Sequence, residues 1–291
     1  MRIVRAEVMG MCFGVRDALR AIESVERPGE VTIHGELVHN PVVLDDLAER
    51  GFAMTSETDR DRVPDSPVVL ITAHGVSDRE RARLEAAGKR LIDTTCPLVV
   101  RVHEEAQKLA AAGWFVVIAG KRGHVEVQGV VEDLDHCEVV EKPEDVRAYP
   151  RARIALVCQS TATERQFASV REALATRNPH AELRFVDTAC RPTKDHQAAL
   201  ERLLGEVDAL VVVGGRNSNN TRALVVRARE AGLPAQHVED VSDLDFDRLD
   251  GFETIGLTAG TSTLDSTIDA VHEALLAYAA RNRRLHPTEA G

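Results

Sequence analysis

Asp93-Thr94-Thr95-Cys96 and Asp187-Thr188-Ala189-Cys190 are almost the same four residues, and their cysteines (96 and 190) stand 94 positions apart. The same offset lays Val117-Ile118-Ala119-Gly120-Lys121-Arg122 on Val211-Val212-Val213-Gly214-Gly215-Arg216, which pairs His124 with Ser218 and Glu126 with Asn220. Cys12 opens a third copy: Cys12 to His39 spans 27 positions, Cys96 to His124 spans 28, and Cys190 to Ser218 spans 28. A second polar loop follows the next strand in every copy, as Thr72-Ala73-His74-Gly75-Val76-Ser77, Gln159-Ser160-Thr161-Ala162-Thr163 and Thr258-Ala259-Gly260-Thr261-Ser262-Thr263. A repeat this long requires each copy to be one supersecondary unit, and three copies account for the 291 residues. The expected domains are 1–95 with Cys12, 96–187 with Cys96, and 188–291 with Cys190, the last ending in a helix and a loose tail from about Asn282 to Gly291.

Short Val/Ile/Leu-rich runs at 31–34, 68–72, 90–93, 115–119, 154–157, 183–186, 209–213 and 254–258 alternate with longer stretches of helical period. Continuous apolar runs of that length are strands of a parallel sheet covered on both faces. Asn40-Pro41, Ser77-x-x-Glu80 as a capping box, and Pro97 mark helix starts. The fold class is α/β: three similar α/β domains with mainly parallel sheets, arranged most simply about a pseudo-threefold axis. Ligands of open α/β sheets bind beyond the carboxyl ends of the strands, and each repeated cysteine lies on that side. Three thiolates are thus expected to converge on one centre, inside a collar of His, Ser, Thr, Asn and Glu.

The formal charge of −11, from 36 Lys+Arg against 47 Asp+Glu, argues against nucleic acid or an anionic membrane as a partner, while leaving room for a small anion in a local pocket. No uncharged apolar stretch is long enough for a membrane helix and no signal peptide is visible, so the expected location is cytoplasmic. Five cysteines, an odd number, suit reduced thiols or a metal site better than a secreted disulfide framework. Cys137 and Cys158 have no counterpart in the other copies and are expected in the core. The three in register are soft ligands, suited to zinc or an iron–sulfur cluster. Closely spaced cysteine pairs of the zinc type are absent. A four-iron cluster is wide enough to be held from three domains, and three protein ligands leave its fourth iron open.

Met11-Cys12-Phe13-Gly14-Val15-Arg16, Val38-His39-Asn40-Pro41, Ala73-His74-Gly75-Val76-Ser77, Asp93-Thr94-Thr95-Cys96-Pro97-Leu98-Val99, Gly123-His124-Val125-Glu126-Val127-Gln128-Gly129, Gln159-Ser160-Thr161, Asn217-Ser218-Asn219-Asn220 and Thr258-Ala259-Gly260-Thr261-Ser262 occur in that order. Together they resemble the LytB/IspH family of 4-hydroxy-3-methylbut-2-enyl diphosphate reductases, over nearly the whole chain from residue 10 to about 265. The resemblance implies a trefoil of three α/β domains around an oxygen-sensitive [4Fe–4S] cluster held by Cys12, Cys96 and Cys190. It implies an iron–sulfur oxidoreductase of isoprenoid precursor biosynthesis, catalysing the last step of the non-mevalonate pathway: two-electron reductive dehydroxylation to isopentenyl and dimethylallyl diphosphate. By the same resemblance Glu126 is the proton source, with Ser160, Thr161, Thr193 and His124 as its relay. The diphosphate falls to His39, His74, His124, Ser218, Asn219, Asn220 and Ser262, with no required magnesium ion. No Rossmann fingerprint or flavin motif is visible, so electrons come from outside the chain, and the resemblance implies a small ferredoxin or flavodoxin as their donor.

The chain departs from the family pattern in three places: Asn219 where a second serine is common, Val125 where proline is frequent, and the Arg191-Pro192-Thr193 stretch with His196 after the third cysteine. They bear on substrate range or rate more than on reaction class. Two alternatives stay open on the residues alone: a non-redox [4Fe–4S] hydro-lyase, and a non-catalytic cluster-bearing sensor. A structural zinc site on the three cysteines is a third.

Overall fold

The chain, seen in a computed structural model, is described for residues 1–57, 59–60 and 62–285, the last four as backbone only. Among the described residues twelve strands run in chain order: β1 Arg2–Arg5, β2 Val31–His34, β3 Ala53–Met54, β4 Val68–Ile71, β5 Arg90–Asp93, β6 Phe115–Ala119, β7 Cys137–Val140, β8 Arg153–Cys158, β9 Glu182–Phe185, β10 Ala209–Val213, β11 Ala235–Val238 and β12 Thr254–Ala259. The α-helices are α1 Phe13–Glu23, α2 Pro41–Glu49, α3 Asp78–Ala86, α4 Pro97–Ala111, α5 Val125–Glu132, α6 Glu164–Arg177, α7 Arg191–Leu204, α8 Asn219–Glu230 and α9 Asp265–Leu285. They form three four-stranded sheets, β3-β2-β4-β5, β7-β6-β8-β9 and β11-β10-β12-β1, and every pairing is parallel. Position for position the three sheets have one order, as a threefold repeat of α/β units demands.

The repeat differs from expectation in its phase. Strands β5, β9 and β1 hold equivalent edge positions, and each leads into a repeated cysteine: Cys96, Cys190 and Cys12. The cysteine therefore closes a structural unit. β1 pairs with β12 in the sheet built from 209–259, so residues 2–5 stand apart from the remainder of the expected 1–95 domain. Periodicity reports the length of a unit and is blind to where a cyclic order is cut.

Contacts divide the chain into two compact units, one of Met1–Cys12, His39–Pro41 and the chain from Pro192 onward, the other of Phe13–Val38 and Val42–Arg191. The first contains the sheet with β1. Its faces carry separate cores, one lined by α9 through Ile268, Val271 and Leu275, the other by α7 and α8 through Leu200, Leu203, Leu224 and Val225. The second contains the other two sheets; around β6 and β8, α6 covers one face with Val170 and Leu174 while α4 and α5 cover the other with Val102, Ala106, Val127 and Val130. Each such fully buried aliphatic side chain contributes about 1.5–3 kcal/mol over its exposed state, and the uninterrupted apolar strands follow from covering both faces.

All eight expected strands are present. The four unexpected ones, β1, β3, β7 and β11, are edge strands. They are short or carry polar residues such as Glu138, Gln236 and His237, so they lack the apolar run that marks a doubly covered strand. At α3 only half of the expected capping box forms. Ser77 Oγ accepts from Glu80 N–H at 3.0 Å, but the Glu80 carboxylate turns to Arg83 (2.6 and 2.7 Å) and to His34 (3.0 Å), because a charged partner one turn away outbids a backbone N–H. α9 extends to Leu285, through residues expected in the tail, and 286–291 lie outside the described residues. No described helix is long and apolar enough to cross a membrane.

Candidate functional site

Each repeated cysteine stands one residue before a helix, Cys12 before α1, Cys96 before α4 and Cys190 before α7. Each backbone N–H is tied to the second polar loop of its own sheet: Cys12 to Thr261 O at 3.0 Å, Cys96 to Ala73 O at 3.1 Å and Cys190 to Ser160 O at 2.8 Å. One structural device thus recurs three times, a strand end, a loop anchor and a helix start. Helix N-termini favour the thiolate over the thiol. None of the three is in a disulfide, and all are half-buried. Cys158 is different: it lies fully buried at the end of β8, and burial pushes its thiol up to about 11. Cys137, half-buried on edge strand β7, packs against the margin of the core on the α4/α5 side, with burial raising its pKa.

In the second unit, Gly14 makes room for Cys96. A Cβ at Gly14 would lie 2.5 Å from Cys96 Sγ. His124 caps α5, and its Nδ1 accepts from Glu126 N–H at 3.2 Å, a geometry that leaves the ring proton on Nε2. Glu126 is 2% exposed, and both its oxygens are engaged: Oε1 by Ser160 N–H at 2.6 Å, Oε2 by Ser160 Oγ at 2.8 Å. Ser160 therefore links the carboxylate to Cys190, whose N–H its carbonyl accepts. The His74 ring meets the His124 ring edge-on with centroids 5.7 Å apart. Thr161 is half-buried beside Ser160. Gln159, which opens the same polar loop, is buried; its Oε1 accepts from Lys121 N–H at 3.0 Å and its Nε2 has no partner among the described residues.

In the first unit, Asn220 is the pivot. Its Oδ1 accepts from Thr261 N–H at 3.1 Å, the residue whose carbonyl holds Cys12, and its Nδ2 is buried with no partner. Ser218 caps α8 by accepting from Thr221 N–H at 3.3 Å, and Asn219 opens that helix. Ser262 Oγ donates to His39 O at 3.3 Å, while Asn40 Nδ2 donates to Ser262 O at 2.7 Å. Gly215 permits this packing, since a Cβ there would lie 2.4 Å from His39 O. Thr193 and His196 are buried on α7; His196 Nδ1 donates to Ala259 O at 3.1 Å, and burial lowers its pKa. Asn40, Gln159, Gly14 and Gly215 stand within the repeated or family-like strings, but their parts in the site are not legible there, because those parts lie in contacts with residues distant in the chain.

The expected residues thus fall into two sets. His74, Cys96, His124, Glu126, Ser160, Thr161 and Cys190 belong to the second unit; Cys12, His39, Thr193, Ser218, Asn219, Asn220 and Ser262 belong to the first. Each unit leaves a buried amide donor unsatisfied among the described residues, Asn220 Nδ2 in the first and Gln159 Nε2 in the second, and such a group costs about 1–3 kcal/mol.

The family model described as LytB protein matches residues 3–276. The chain belongs to the LytB protein family. It is 35% identical to the 4-hydroxy-3-methylbut-2-enyl diphosphate reductase of Anaeromyxobacter sp. (strain Fw109-5), over 93% of this chain and 95% of that one. It is 35% identical to the enzyme of that name from Acinetobacter baylyi, covering 96% and 91%. Among solved structures it is similar to the E-1-hydroxy-2-methyl-but-2-enyl-4-diphosphate reductase of Plasmodium falciparum, with a TM-score of 0.86 and 27% identity over 94% of this chain and 87% of that one. A second, described as (E)-4-hydroxy-3-methyl-but-2-enyl diphosphate reductase, the terminal enzyme of the non-mevalonate pathway, superposes with a TM-score of 0.65 at 32% identity, covering 95% and 100%.

Proposed function

We propose that this LytB-family chain is a 4-hydroxy-3-methylbut-2-enyl diphosphate reductase, the last enzyme of the non-mevalonate route to isoprenoid precursors. The reaction adds two electrons and two protons to the allylic alcohol, breaks its C–O bond and releases water, giving isopentenyl or dimethylallyl diphosphate. Family membership supports the reaction class. The observation that carries the site is the threefold cysteine device combined with the Glu126–Ser160–Cys190 hydrogen-bond path.

The donor set fits a soft metal cluster: three thiols outside disulfides, each fixed through its backbone at a helix start. Cys12, Cys96 and Cys190 would hold a [4Fe–4S] cluster, and that group would supply electrons one at a time and Lewis acidity toward the hydroxyl.

The remaining work belongs to the chain. Hydroxide is a poor leaving group, so a proton must reach the departing oxygen, and Glu126 is a carboxyl group shielded from water with a hydroxyl on its Oε2. Ser160, Thr161, Thr193 and His124 complete the relay, Ser160 by holding both carboxyl oxygens in one orientation. His39, His74, His124, Ser218, Asn219, Asn220 and Ser262 receive the diphosphate. Amides, hydroxyls, imidazoles and the open N–H groups of helix starts satisfy phosphate oxygens with little positive charge, which reconciles an anionic substrate with a chain of charge −11. Electrons enter from a separate one-electron carrier of the ferredoxin or flavodoxin class.

The test is anaerobic purification with iron and sulfide analysis, then turnover of the hydroxylated C5 diphosphate with dithionite and a redox mediator. Equal iron and sulfide with reductive turnover is the expected result. A zinc-containing colourless protein refutes the proposal. Turnover without reductant selects the hydro-lyase instead.

A further inference from the structure

We infer that Glu132 and Asp133 are positioning residues that set His74 against His124 from the far end of α5; the inference rests on the proposed role of these two histidines in holding the diphosphate. Helix α5 carries His124 as its N-cap and Glu126 in its first turn, and ends at Glu132 with Asp133 as its C-cap. Eight residues span about 12 Å. At that distant end, Ser77 Oγ donates to Glu132 Oε2 at 2.6 Å, Asp78 N–H donates to Asp133 Oδ2 at 2.8 Å, and Arg79 N–H donates to Asp133 Oδ1 at 3.2 Å. Gln107 on α4 bridges the junction, its Nε2 reaching Asp78 Oδ2 at 2.8 Å and Asp133 Oδ2 at 3.3 Å.

The N-terminus of α3 is therefore capped from another helix. Ser77 Oγ accepts from Glu80 N–H, and Asp133 takes the two donors before it, those of Asp78 and Arg79. A carboxylate there also meets the positive end of the α3 dipole. Ser77 lies three residues beyond His74, in a loop whose turn is made by Gly75 at φ +73. Midway along α5, Gly129 lets this loop lie against the helix: a Cβ there would come within 3.0 Å of the His103 ring and 3.4 Å of Ser77 N. One end of α5 thus presents His124, and the other grips the loop that presents His74. The rings meet edge-on at 5.7 Å. Glu132 is exposed and Asp133 half-buried, so the clamp contributes little to the core, and its removal loosens the loop without opening the fold.

The experiment uses the anaerobic holoprotein with E132A/D133A, E132Q and D133N. Calorimetry with inorganic diphosphate and reductive turnover with dithionite plus a mediator are read alongside iron content and melting temperature. In E132A/D133A the diphosphate Kd and the substrate KM rise about tenfold, as a misplaced positioning group would cause. Its kcat stays within about twofold, and iron content is unchanged. E132Q keeps the wild-type KM, because its amide oxygen still accepts from Ser77. Should the double variant fail to fold, E132A and D133N separately carry the same comparison. Unchanged Kd and KM in a folded variant, or a fall in kcat at constant KM, overturns the inference. Wild-type protein that binds diphosphate without turning substrate over points to the proposed reaction as the error, and the Kd comparison still decides the clamp.

Discussion

Gly14 offers the sharpest test of whether Cys96 is a metal ligand. A methyl group placed on Gly14 would sit 2.5 Å from Cys96 Sγ and 3.2 Å from Cys96 Cβ. Non-bonded carbon atoms rest about 3.5–4.0 Å apart and sulfur is larger, so the thiol has to retreat by on the order of 1 Å. In metal-free protein that retreat is inexpensive. Cys96 is half-buried and has a short side chain that can turn about χ1, and overpacking of this kind costs about 1–3 kcal/mol. Replacing glycine by alanine in α1 returns up to about 1 kcal/mol of helix propensity. The apo form of G14A should therefore melt within roughly 10 °C of wild type, from a net loss of about 0–2 kcal/mol. A sulfur bound to metal has no such freedom, because ligand distances hold to about ±0.2 Å. G14A is expected to retain less than about a third of the wild-type iron and sulfide after anaerobic reconstitution, given ligand loss of this kind. G29A is the control, since a Cβ there meets nothing within 4 Å. Wild-type iron content in G14A, with G29A also normal, would refute the reasoning and remove Cys96 from the ligand set.

E126Q keeps the size of Glu126 but cannot deliver its proton, and its amide group faces a donor from Ser160; kcat should fall by about 10²–10⁴ with iron content unchanged, as single-turnover assays would show. N220A removes the orphaned Nδ2 donor and also releases Thr261 N–H, so KM should rise about tenfold or more, with kcat less affected, in steady-state assays. His34, His103, His196 and His237 all have pKa values lowered from 6.5, burial being the first cause in each. The unfolded chain then takes up protons before the folded one does, so their contribution to stability is full above pH 6.5 and is lost as pH falls below it through the lowered values. Melting temperatures of the apo protein should be level from pH 8 to about 7 and decline toward pH 5; a flat profile across that range would contradict the assignment.

Three parallel α/β units, eight of the strands and the register of Cys12, Cys96 and Cys190 are legible from the sequence, because doubly covered strands must be continuously apolar and a repeat writes its period into the letters. The polar loops are equally visible, and the hydrogen bonds between Glu126 and Ser160 bring together two residues that the family resemblance puts side by side. Four of the edge strands, β1, β3, β7 and β11, are not visible. Half-exposed residues such as Glu138 and His237 carry no apolar signal, although their backbones complete the sheets.

What the sequence determines by itself is the unit and what recurs in it: an α/β repeat, three cysteines in step, and polar loops that return with each copy. Tertiary structure alone decides which strand closes which sheet, which loop anchors each cysteine, that Gly14 must be bare beside Cys96, and that Asp133 caps a helix 55 residues away at Asp78. The physical reason is one of range. Period, burial and helix starts are properties of neighbouring residues, whereas sheet closure, close approach and capping from outside depend on backbone groups far apart in the chain, and those meet only once the units have folded.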